Sequence, residues 1–383
     1  MTFKPDSEQF SLEMLHLAYK NELYIEDTDR IDVVLAVALS AKLDGIPLWL
    51  IVVGPSGDMK SVQINALEGL PNKEILHNLT SKTLVNGHAD KKKYPDLAPQ
   101  LDKKIVLIPD MAQILQLPPS EKGELWGQLR DLYDGYAGKN SGMGSTAKYS
   151  GLKTTLIAGS TPVIDSQILI HQGLGTRELI YRTNGSKNKE KVMQKCFDNE
   201  QNEREITDRI RFATTMFLKR NIINTGAKQE ILDQIMVMAK YTAYMRTTAE
   251  FDQYTNELRN TAYPEEPTRI AKQLKRLYIC LKNLDKNYPD ETALRILWHV
   301  AKSCAFPLRL QVFEFLSQNK GDFSTSQLSE LLSIGKSTAK RECCLLENLG
   351  IIKCRRQETS FPDRFYEYWT FKANSKTRDF PIT

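Results

Sequence analysis

Eight residues at positions 54–61 have the composition and spacing of a phosphate-binding turn. They read Gly-Pro-Ser-Gly-Asp-Met-Lys-Ser, against the pattern GxxxxGK[ST], so Met59 stands where the pattern has its last glycine. In such a loop, main-chain N–H groups hold phosphate oxygens, Lys60 neutralises phosphate charge and the Ser61 hydroxyl binds Mg²⁺. The segment therefore predicts a site for ATP and Mg²⁺, formed by Gly54, Pro55, Ser56, Gly57, Asp58, Met59, Lys60 and Ser61.

The flanking sequence has the pattern that such a loop requires. Ile31–Leu43 carries apolar residues at nearly helical spacing, and Gly45 follows as a helix-ending glycine. Ile46–Val53 is a continuous apolar run of strand length, typical of a strand buried in a parallel sheet. The residues after Ser61 again favour a helix. Strand, glycine-rich turn and helix thus follow one another in the order that phosphate binding needs.

Three more strands are predicted downstream of the loop. Ile105–Ile108, Thr154–Ala158 and Glu178–Tyr181 are short apolar runs, and a helical pattern around Trp126–Tyr133 separates the first two. Strands that alternate with helices predict an α/β fold with a parallel sheet and flanking helices.

Beyond about Asn184 the pattern is that of helices. Amphipathic stretches at 200–222, 228–257, 267–284 and 290–304 predict an all-α region. A last block has three predicted helices (308–317, 324–332 and 336–349) and two strands, IIKCRR and FYEYWTF, which is the order of a winged helix-turn-helix. In the second strand, Tyr366, Tyr368, Trp369 and Phe371 are expected to pack in the core and wing. The predicted boundaries are an N-terminal extension 1–30, an α/β core 31–184, an all-α lid region 185–304, a winged helix domain 305–372 and a tail 373–383.

Composition excludes several classes of protein. The 383 residues suggest two or three domains, and 52 basic against 47 acidic residues give a net charge of +5, too weak by itself to indicate nucleic acid. Six cysteines without a CxxC pair and five histidines without HxxxH or HExxH argue against a disulfide framework or a histidine-held metal. We expect a cytoplasmic protein without a signal peptide or membrane contact, because the longest apolar run is only of strand length.

Several segments, taken in order, resemble one family. They are PLWLIVVGPSGDMKS, LTSKTLVNG, IVLIPDMAQIL, LRDLYDGYAGK, LIAGSTPVID, LGTRELIYR, EEPTRIAKQLKRL and the C-terminal winged-helix pattern. This set resembles the MCM-like AAA+ ATPases of phages and mobile genetic elements, over roughly residues 30–355. The resemblance implies an AAA+ P-loop ATPase core, an all-α lid and a C-terminal winged helix-turn-helix. Met59 departs from it, because the family commonly has a smaller residue before the lysine.

The resemblance also implies roles for polar residues at the strand ends. Asp110 would hold Mg²⁺ or orient the attacking water, and Ser160-Thr161 would contact the γ-phosphate or that water as sensor 1. The family pattern has two acids, Asp then Glu, whereas this sequence has one. Asp110 matches either the first acid, with Met111 in place of the Glu, or the second, with Pro109 in place of the Asp.

Two arginines complete the implied site. Arg177 corresponds to an arginine finger supplied to the neighbouring subunit, with Arg182 as the second choice, and Arg269 corresponds to sensor 2. With a single acid in the strand-end motif, hydrolysis is expected to be slow or to use an acid from elsewhere, such as Asp134 or Glu124.

DNA contacts are expected in two places. In MCM-like proteins the slot 135–153 holds a β-hairpin that projects into the channel of a ring, where lysines contact the phosphate backbone without reading sequence. In the winged helix, the first residues of helix 336–349 would enter the major groove and the wing would hold phosphate. The predicted contacts are Lys139, Lys148, Lys336, Ser337, Thr338, Lys340, Arg341, Arg355 and Arg356. The alternatives are a surface loop for the first and a protein-binding winged helix for the second.

Two functions follow as hypotheses. The first is an ATP-dependent DNA helicase or replication-initiation motor of a mobile element, an ATPase that translocates on single-stranded or forked DNA as a hexameric ring. A finger supplied in trans requires such an oligomer, and residues 1–30 are too few for a collar domain, so another replication protein could assist loading. The second is a nucleotide-switched DNA-binding regulator or helicase loader with weak or no ATPase activity.

Overall fold

The computed structural model describes residues 10–86, 88, 90–140, 146–166, 176–223, 226–358, 365–372, 377 and 380. The chain divides into two compact units. The first takes the described residues among 1–171, 176–228 and 272–300, and the second takes those among 229–271 and 301–383. The predicted all-α region therefore contributes helices to both units.

The first unit contains a five-stranded sheet in which every neighbouring pair is parallel. The order across the sheet is β2-β3-β6-β1-β7. The strands are β1 Trp49–Val53, β2 Lys73–Ile75, β3 Ile105–Ile108, β6 Thr155–Ser160 and β7 Leu179–Arg182, and β4 Tyr136–Asn140 and β5 Thr146–Ser150 lie outside this sheet. The α/β fold with a parallel sheet is thus confirmed.

Helices flank the sheet and form most of the second unit. In chain order they are α1 Leu12–Glu22, α2 Asp29–Ser40, α3 Lys60–Asn65, α4 Ser81–Leu84, α5 Ala112–Leu115, α6 Pro119–Tyr133, α7 Lys189–Asn199, α8 Glu203–Leu218, α9 Gln229–Met245, α10 Thr268–Lys282, α11 Asp290–Ser303, α12 Pro307–Gln318, α13 Thr325–Leu331 and α14 Lys336–Asn348. Across the described residues, none of the helices has the length and apolar character needed to cross a membrane.

The core of the first unit is built on its central strands. Every residue of β1, β3 and β6 is buried, as expected for continuous apolar runs covered by helices on the faces of the sheet. Helix α2 packs against β1 and β6, and α1 and α2 both pack against α8. Nearly all of α2 is buried, including the charged side chains of Arg30 and Asp32.

The hairpin expected between residues 135 and 153 is present. Strands β4 and β5 pair antiparallel, with Lys139 opposite Ala147 and Gly138 opposite Lys148. Residues 141–145, between the two strands, lie outside the described residues. The hairpin is tied to the first unit by side chains: Lys139 Nζ lies 3.0 Å from Glu124 Oε1, and the Tyr149 hydroxyl donates to Asp96 Oδ2 at 2.7 Å.

In the second unit, helices α12, α13 and α14 pack with a three-stranded antiparallel sheet of order β8-β10-β9. Its strands are β8 Phe323–Ser324, β9 Ile352–Glu358 and β10 Phe365–Phe371. Helix α13 begins with a capping box, as the Ser/Thr signal predicted: the Ser324 hydroxyl accepts from Gln327 N, and the Gln327 side chain accepts from Ser324 N. Trp369 is fully buried, and its indole donates to Thr325 Oγ1 at 3.0 Å.

Two helices end earlier than their apolar patterns predict, and a buried arginine occupies the end of each. Helix α2 ends at Ser40 rather than Leu43, where Arg276 donates to the Ser40 and Asp44 carbonyls at 2.8 and 2.6 Å. Helix α9 ends at Met245, where Arg309 donates to the Met245 and Thr247 carbonyls at 2.8 and 2.6 Å. Both arginines satisfy carbonyls that have no partner inside a helix.

One expectation about an aromatic residue differs from the structure, and one aromatic residue of the predicted tail is buried. Tyr366, expected to pack in the wing, is 59% exposed. Phe380, in the predicted tail, is buried, and its ring packs edge-on against Tyr241.

Candidate nucleotide-binding site

The loop 54–61 lies at a point where the chain changes direction across the sheet. From β1 the chain continues to β2 on one side, and from β6 it continues to β7 on the other side of β1. In open parallel sheets, ligands bind at the carboxyl ends of strands at such a switch point. Here the ends are joined directly, because Gly54 N donates to Ser160 O at 3.2 Å.

The backbone of the loop needs unusual conformations. Gly57 has a φ of 78° and Met59 a φ of 55°, so both lie in the left-handed region. For a non-glycine residue that region costs roughly 1–2 kcal/mol. A glycine at position 59, as in the standard motif, would adopt the same conformation without that cost. At Gly54 a side chain is excluded, because a Cβ there would lie 2.0 Å from Thr183 Oγ1.

Lys60, the first residue of α3, turns its ammonium group back into the loop. It is 8% exposed, and Nζ donates to the carbonyls of Gly54 and Pro55 at 3.0 and 2.5 Å. Burial lowers the pKa of Lys60 below its ordinary value, and the neighbouring carboxylates of Asp58 and Asp110 offset this only in part. A phosphate that replaced the two carbonyls would offer the ammonium a stronger, charge-assisted partner.

A cavity of about 310 Å³ is lined by part of the predicted site. Residues 56–61 of the loop, Asp110 from the end of β3 and the Ser160-Thr161 pair from the end of β6 line it, whereas Gly54, Pro55, Arg177 and Arg269 are not among its lining residues. The Ser61 hydroxyl donates to Pro109 O at 3.2 Å, which brings α3 against the end of β3. The cavity therefore contains an ammonium group, a carboxylate and several hydroxyls at the switch point.

The three residues after β3 face different ways. Pro109 and Asp110 line the cavity, whereas Met111 is buried and its N–H donates to Gly159 O at 2.9 Å. Asp110 is exposed, and its Oδ1 accepts from Ala112 N at 2.9 Å. Of the two neighbours Asp110 and Met111, Asp110 lines the cavity and Met111 does not. In the described part of the chain, no three His, Cys, Asp or Glu side chains cluster as a metal-binding group.

Two residues that the sequence did not predict, Arg30 and Thr183, bind Asp58 of the loop and do not line the first cavity. Arg30 Nη1 donates to Asp58 O at 3.0 Å and to Asp58 Oδ2 at 3.1 Å, and Thr183 Oγ1 donates to Asp58 Oδ2 at 2.5 Å. Arg30 stands one residue before the apolar pattern Ile31–Leu43, so its burial became evident only when the helix proved to begin at Asp29. A buried arginine needs a partner, and Asp58 is that partner.

A second cavity, of about 340 Å³, adjoins the loop on the side of these residues. Arg30, Asp58 and Thr183 line it together with segments 24–27 and 184–187. The Lys187 N–H donates to Glu26 Oε2 at 2.9 Å and so joins the two segments.

The three candidate arginines have different surroundings. Arg177 Nη2 lies 2.7 Å from Asp134 Oδ2, and Arg182 makes a two-pronged contact with Asp165 at 3.0 and 2.6 Å. Arg269, the second residue of α10, belongs to the second unit. Arg177, the candidate arginine finger, thus forms an ion pair with Asp134, one of the two acids that could replace the missing catalytic acid.

The predicted DNA-contacting residues lie in both units. Lys148 is exposed on β5, whereas Lys139 is paired with Glu124. In the second unit, Lys336 and Ser337 are exposed at the start of α14, and Thr338 is half-buried. The other four have partners: Lys340 and Arg356 lie 3.5 and 3.7 Å from Glu367, Arg355 lies 2.9 Å from Asp322, and Arg341 donates to Asn256 Oδ1 at 2.7 Å.

No family model and no curated protein matches the chain. Among solved structures, one similar chain is the C-terminal region of NrS-1 in an apo form. It is 11% identical, and the alignment covers 97% of this chain and 79% of that one at a TM-score of 0.29. A TM-score of this size carries no argument about fold or function.

Proposed function

We propose that the first unit binds ATP and that the chain is an MCM-like AAA+ ATPase acting on DNA. In this proposal it is a helicase or replication-initiation motor that translocates as a hexameric ring. The observation that carries the proposal is the convergence of Lys60, Ser61, Asp110 and Ser160-Thr161 on one cavity at the switch point of a parallel sheet.

The phosphates would lie against the loop. Lys60 would leave the Gly54 and Pro55 carbonyls for the β- and γ-phosphates, and the N–H groups at the start of α3 would donate to phosphate oxygens. The second cavity, on the other side of Asp58, offers space for the base and ribose. Asp58 itself, held by Arg30, would keep the loop in shape.

The residues present fit Mg²⁺. The Ser61 hydroxyl and the Asp110 carboxylate line the same cavity, and both are hard oxygen donors of the type that Mg²⁺ prefers. When bound, Mg²⁺ would neutralise charge on the β- and γ-phosphates. Taken as the second acid of the motif, because Met111 is buried, Asp110 would also accept a hydrogen bond from the attacking water, and Thr161 would donate to a phosphate oxygen.

The DNA-binding part of the proposal rests on two elements. The β4–β5 hairpin presents Lys148, and release of Lys139 from Glu124 would add a second cation. The second unit, read as a winged helix, would use α14 as its reading helix and the β9–β10 strands as its wing. Phosphate contacts from these lysines and arginines would give salt-dependent binding.

A nucleotide-switched regulator or loader is the second candidate, and two observations favour it. Asp110 alone contributes a carboxylate from the end of β3, and the finger candidate Arg177 is bound to Asp134. Nucleotide binding could then order an assembly without rapid hydrolysis.

One experiment separates the two candidates. ATP hydrolysis and displacement of a labelled strand from forked DNA are measured for the wild type and Lys60→Ala, and mass is measured with a non-hydrolysable nucleotide. The motor hypothesis predicts DNA-stimulated hydrolysis, strand displacement that requires Lys60, and a nucleotide-dependent oligomer. A protein that assembles with nucleotide but neither hydrolyses ATP nor displaces the strand is the regulator.

A further inference from the structure

A cavity of about 500 Å³ lies in the second unit at the start of α14. Its wall combines basic, hydroxyl and aromatic side chains from three separate parts of the unit. The groups that matter are Thr255, Asn256, Lys336, Ser337, Lys340 and Tyr366. We call this the tyrosine–lysine cavity.

The loop 250–259, one wall of this cavity, is held in a fixed shape. The Asp252 carboxylate accepts from the N–H groups of Tyr254 and Thr255 at 2.8 and 3.0 Å, and Phe251 forms a bridge with Leu258. The loop is also fastened to α14, because Asn256 Oδ1 accepts from Arg341 Nε at 2.7 Å. Its tip is therefore preorganised next to the start of α14.

Two exposed tyrosines belong to these segments. Tyr366 lines the cavity and is 59% exposed, and Tyr254, which does not line it but directly precedes the lining residue Thr255, is 92% exposed. Proteins that bind single-stranded nucleic acid combine a basic groove with aromatic rings on which unpaired bases stack. Lys336, Lys340 and Tyr366 on the cavity wall supply both parts of such a site, and Tyr254, next to Thr255 in the loop, offers a second ring.

We propose that the tyrosine–lysine cavity binds a single DNA strand. Lys336 and Lys340 hold backbone phosphate, and Tyr254 and Tyr366 stack on unpaired bases. The inference rests on the proposed function, that this unit binds DNA, and adds that the unit recognises an unpaired strand as well as duplex.

The negative charge of Glu367 would repel the phosphates of a bound DNA strand, and its removal tests the proposed role of the lysines. Its carboxylate lies 3.5 Å from Lys340 Nζ and 3.7 Å from Arg356 Nε, and it lines the cavity. A bound phosphate must compete with this carboxylate for Lys340. Removing its charge should therefore strengthen binding of the strand.

The test measures fluorescence anisotropy of the full-length protein with labelled oligothymidine and with a blunt duplex. We expect Tyr254→Ala and Tyr366→Ala each to weaken single-strand binding about fivefold or more, with less than a twofold change for duplex. Glu367→Gln should tighten single-strand binding at least twofold. Tyr263→Ala is the matched control, because Tyr263 is 79% exposed in the same unit and, unlike Tyr366 and Tyr254, neither lines the cavity nor adjoins a residue that does.

The outcomes separate this inference from the proposed function. If both tyrosine variants bind oligothymidine within twofold of the wild type while Lys336→Ala weakens duplex binding, the cavity does not hold a strand but the unit does bind DNA. Equal losses for strand and duplex also overturn the inference. If the wild type binds neither oligonucleotide, the DNA-binding function itself fails. All five substituted side chains are partly or largely exposed, and an unchanged thermal midpoint confirms that each variant is folded.

Discussion

The guanidinium group of Arg30 holds Asp58 in the middle of the candidate phosphate loop. Its Nη1 donates to both the main-chain oxygen and the carboxylate of Asp58, at 3.0 and 3.1 Å, and the Thr183 hydroxyl donates to the same carboxylate. Arg30 comes from α2 and Thr183 follows β7, so two elements distant in sequence fix the loop before any nucleotide is bound.

Arg30→Ala should both destabilise the first unit and weaken ATP binding. Removing one partner of a buried ion pair costs about 3–5 kcal/mol, since the Asp58 carboxylate would lose its charged partner and keep only the hydrogen bond from Thr183. Urea unfolding and ATP titration measure the two effects, and Arg30→Lys should fall between wild type and alanine because it keeps the charge but loses the planar fork.

The control for this prediction is Arg295→Ala. Arg295 forms an ion pair with Asp29, and Asp29 lies next to Arg30 on α2. Unlike Arg30, Arg295 has an exposed side chain. Its loss should cost about 0–1 kcal/mol and leave ATP binding unchanged. Equal effects of the Arg30 and Arg295 variants would mean that Arg30 does not shape the loop.

Arg177→Ala should abolish DNA-stimulated hydrolysis and leave ATP binding intact. An arginine finger contributes roughly 10³–10⁵ to the rate by stabilising charge in the transition state. If the finger acts on the neighbouring subunit, a mixture of Arg177→Ala with Lys60→Ala should recover activity that neither variant has alone.

The control for this prediction is Arg211→Ala, which breaks an ion pair with Glu68. A mixture of Arg177→Ala and Lys60→Ala that is no more active than its parts would place Arg177 outside the catalytic site.

Lys148→Ala should weaken DNA binding equally for different sequences. A lysine that contacts phosphate contributes about one unit to the slope of log affinity against log salt concentration, and the variant should lose it. Glu124→Gln should have the opposite effect, because it releases Lys139. Lys191→Ala, on the exposed face of α7, is the control. An unchanged salt slope for Lys148→Ala would remove the hairpin from the DNA-binding surface.

Asp96 should make the attachment of the hairpin sensitive to acid. Burial alone would raise the pKa of Asp96, but hydrogen bonds from Lys91, Tyr149 and the Asn86 N–H lower it below the ordinary value of 3.8. A carboxylate with a lowered pKa stabilises the fold at pH above its ordinary value, and this contribution is lost as the pH falls through the lowered pKa.

The matching variant is Asp96→Asn. At neutral pH it should lower the free energy of unfolding by about 2–3 kcal/mol, because charge-assisted hydrogen bonds are lost. The difference from wild type should shrink as the pH falls below 3.8. Asp44→Asn, at a fully exposed carboxylate, is the control. A difference that stays constant from neutral to acid pH would contradict the role given to the Asp96 charge.

The sequence predicted those parts of the fold that depend on local pattern. Ile105–Ile108 is a strand with the predicted bounds, and helix 336–349 differs from the structure by one residue. Strand β2 was missed because its three residues, Lys73–Ile75, are half-buried and lack an apolar run. Helix 228–257 was predicted too long, because Arg309, more than sixty residues further along the chain, binds the carbonyl at its true end.

In the candidate site, too, local patterns were predictable from the sequence and contacts between distant residues were not. The motif identified Lys60 and Ser61, and strand ends identified Asp110 and Ser160. Pairings that join distant segments, such as Arg177 with Asp134 and Arg30 with Asp58, depend on tertiary contacts and have no periodic signal in the sequence. The side-chain direction of Asp110 relative to Met111 likewise required the strand register.

The most direct test of the central claim is an ATP titration, in the presence of Mg²⁺, of the wild type and Lys60→Ala, with Lys148→Ala as a folded control. Loss of the ammonium group removes a charge-assisted contact to phosphate, so we expect saturable binding by the wild type, at least about tenfold weaker binding by Lys60→Ala, and wild-type affinity for Lys148→Ala. Lys60→Ala that is folded and binds ATP as tightly as the wild type would contradict the assignment of the loop 54–61 as the phosphate site.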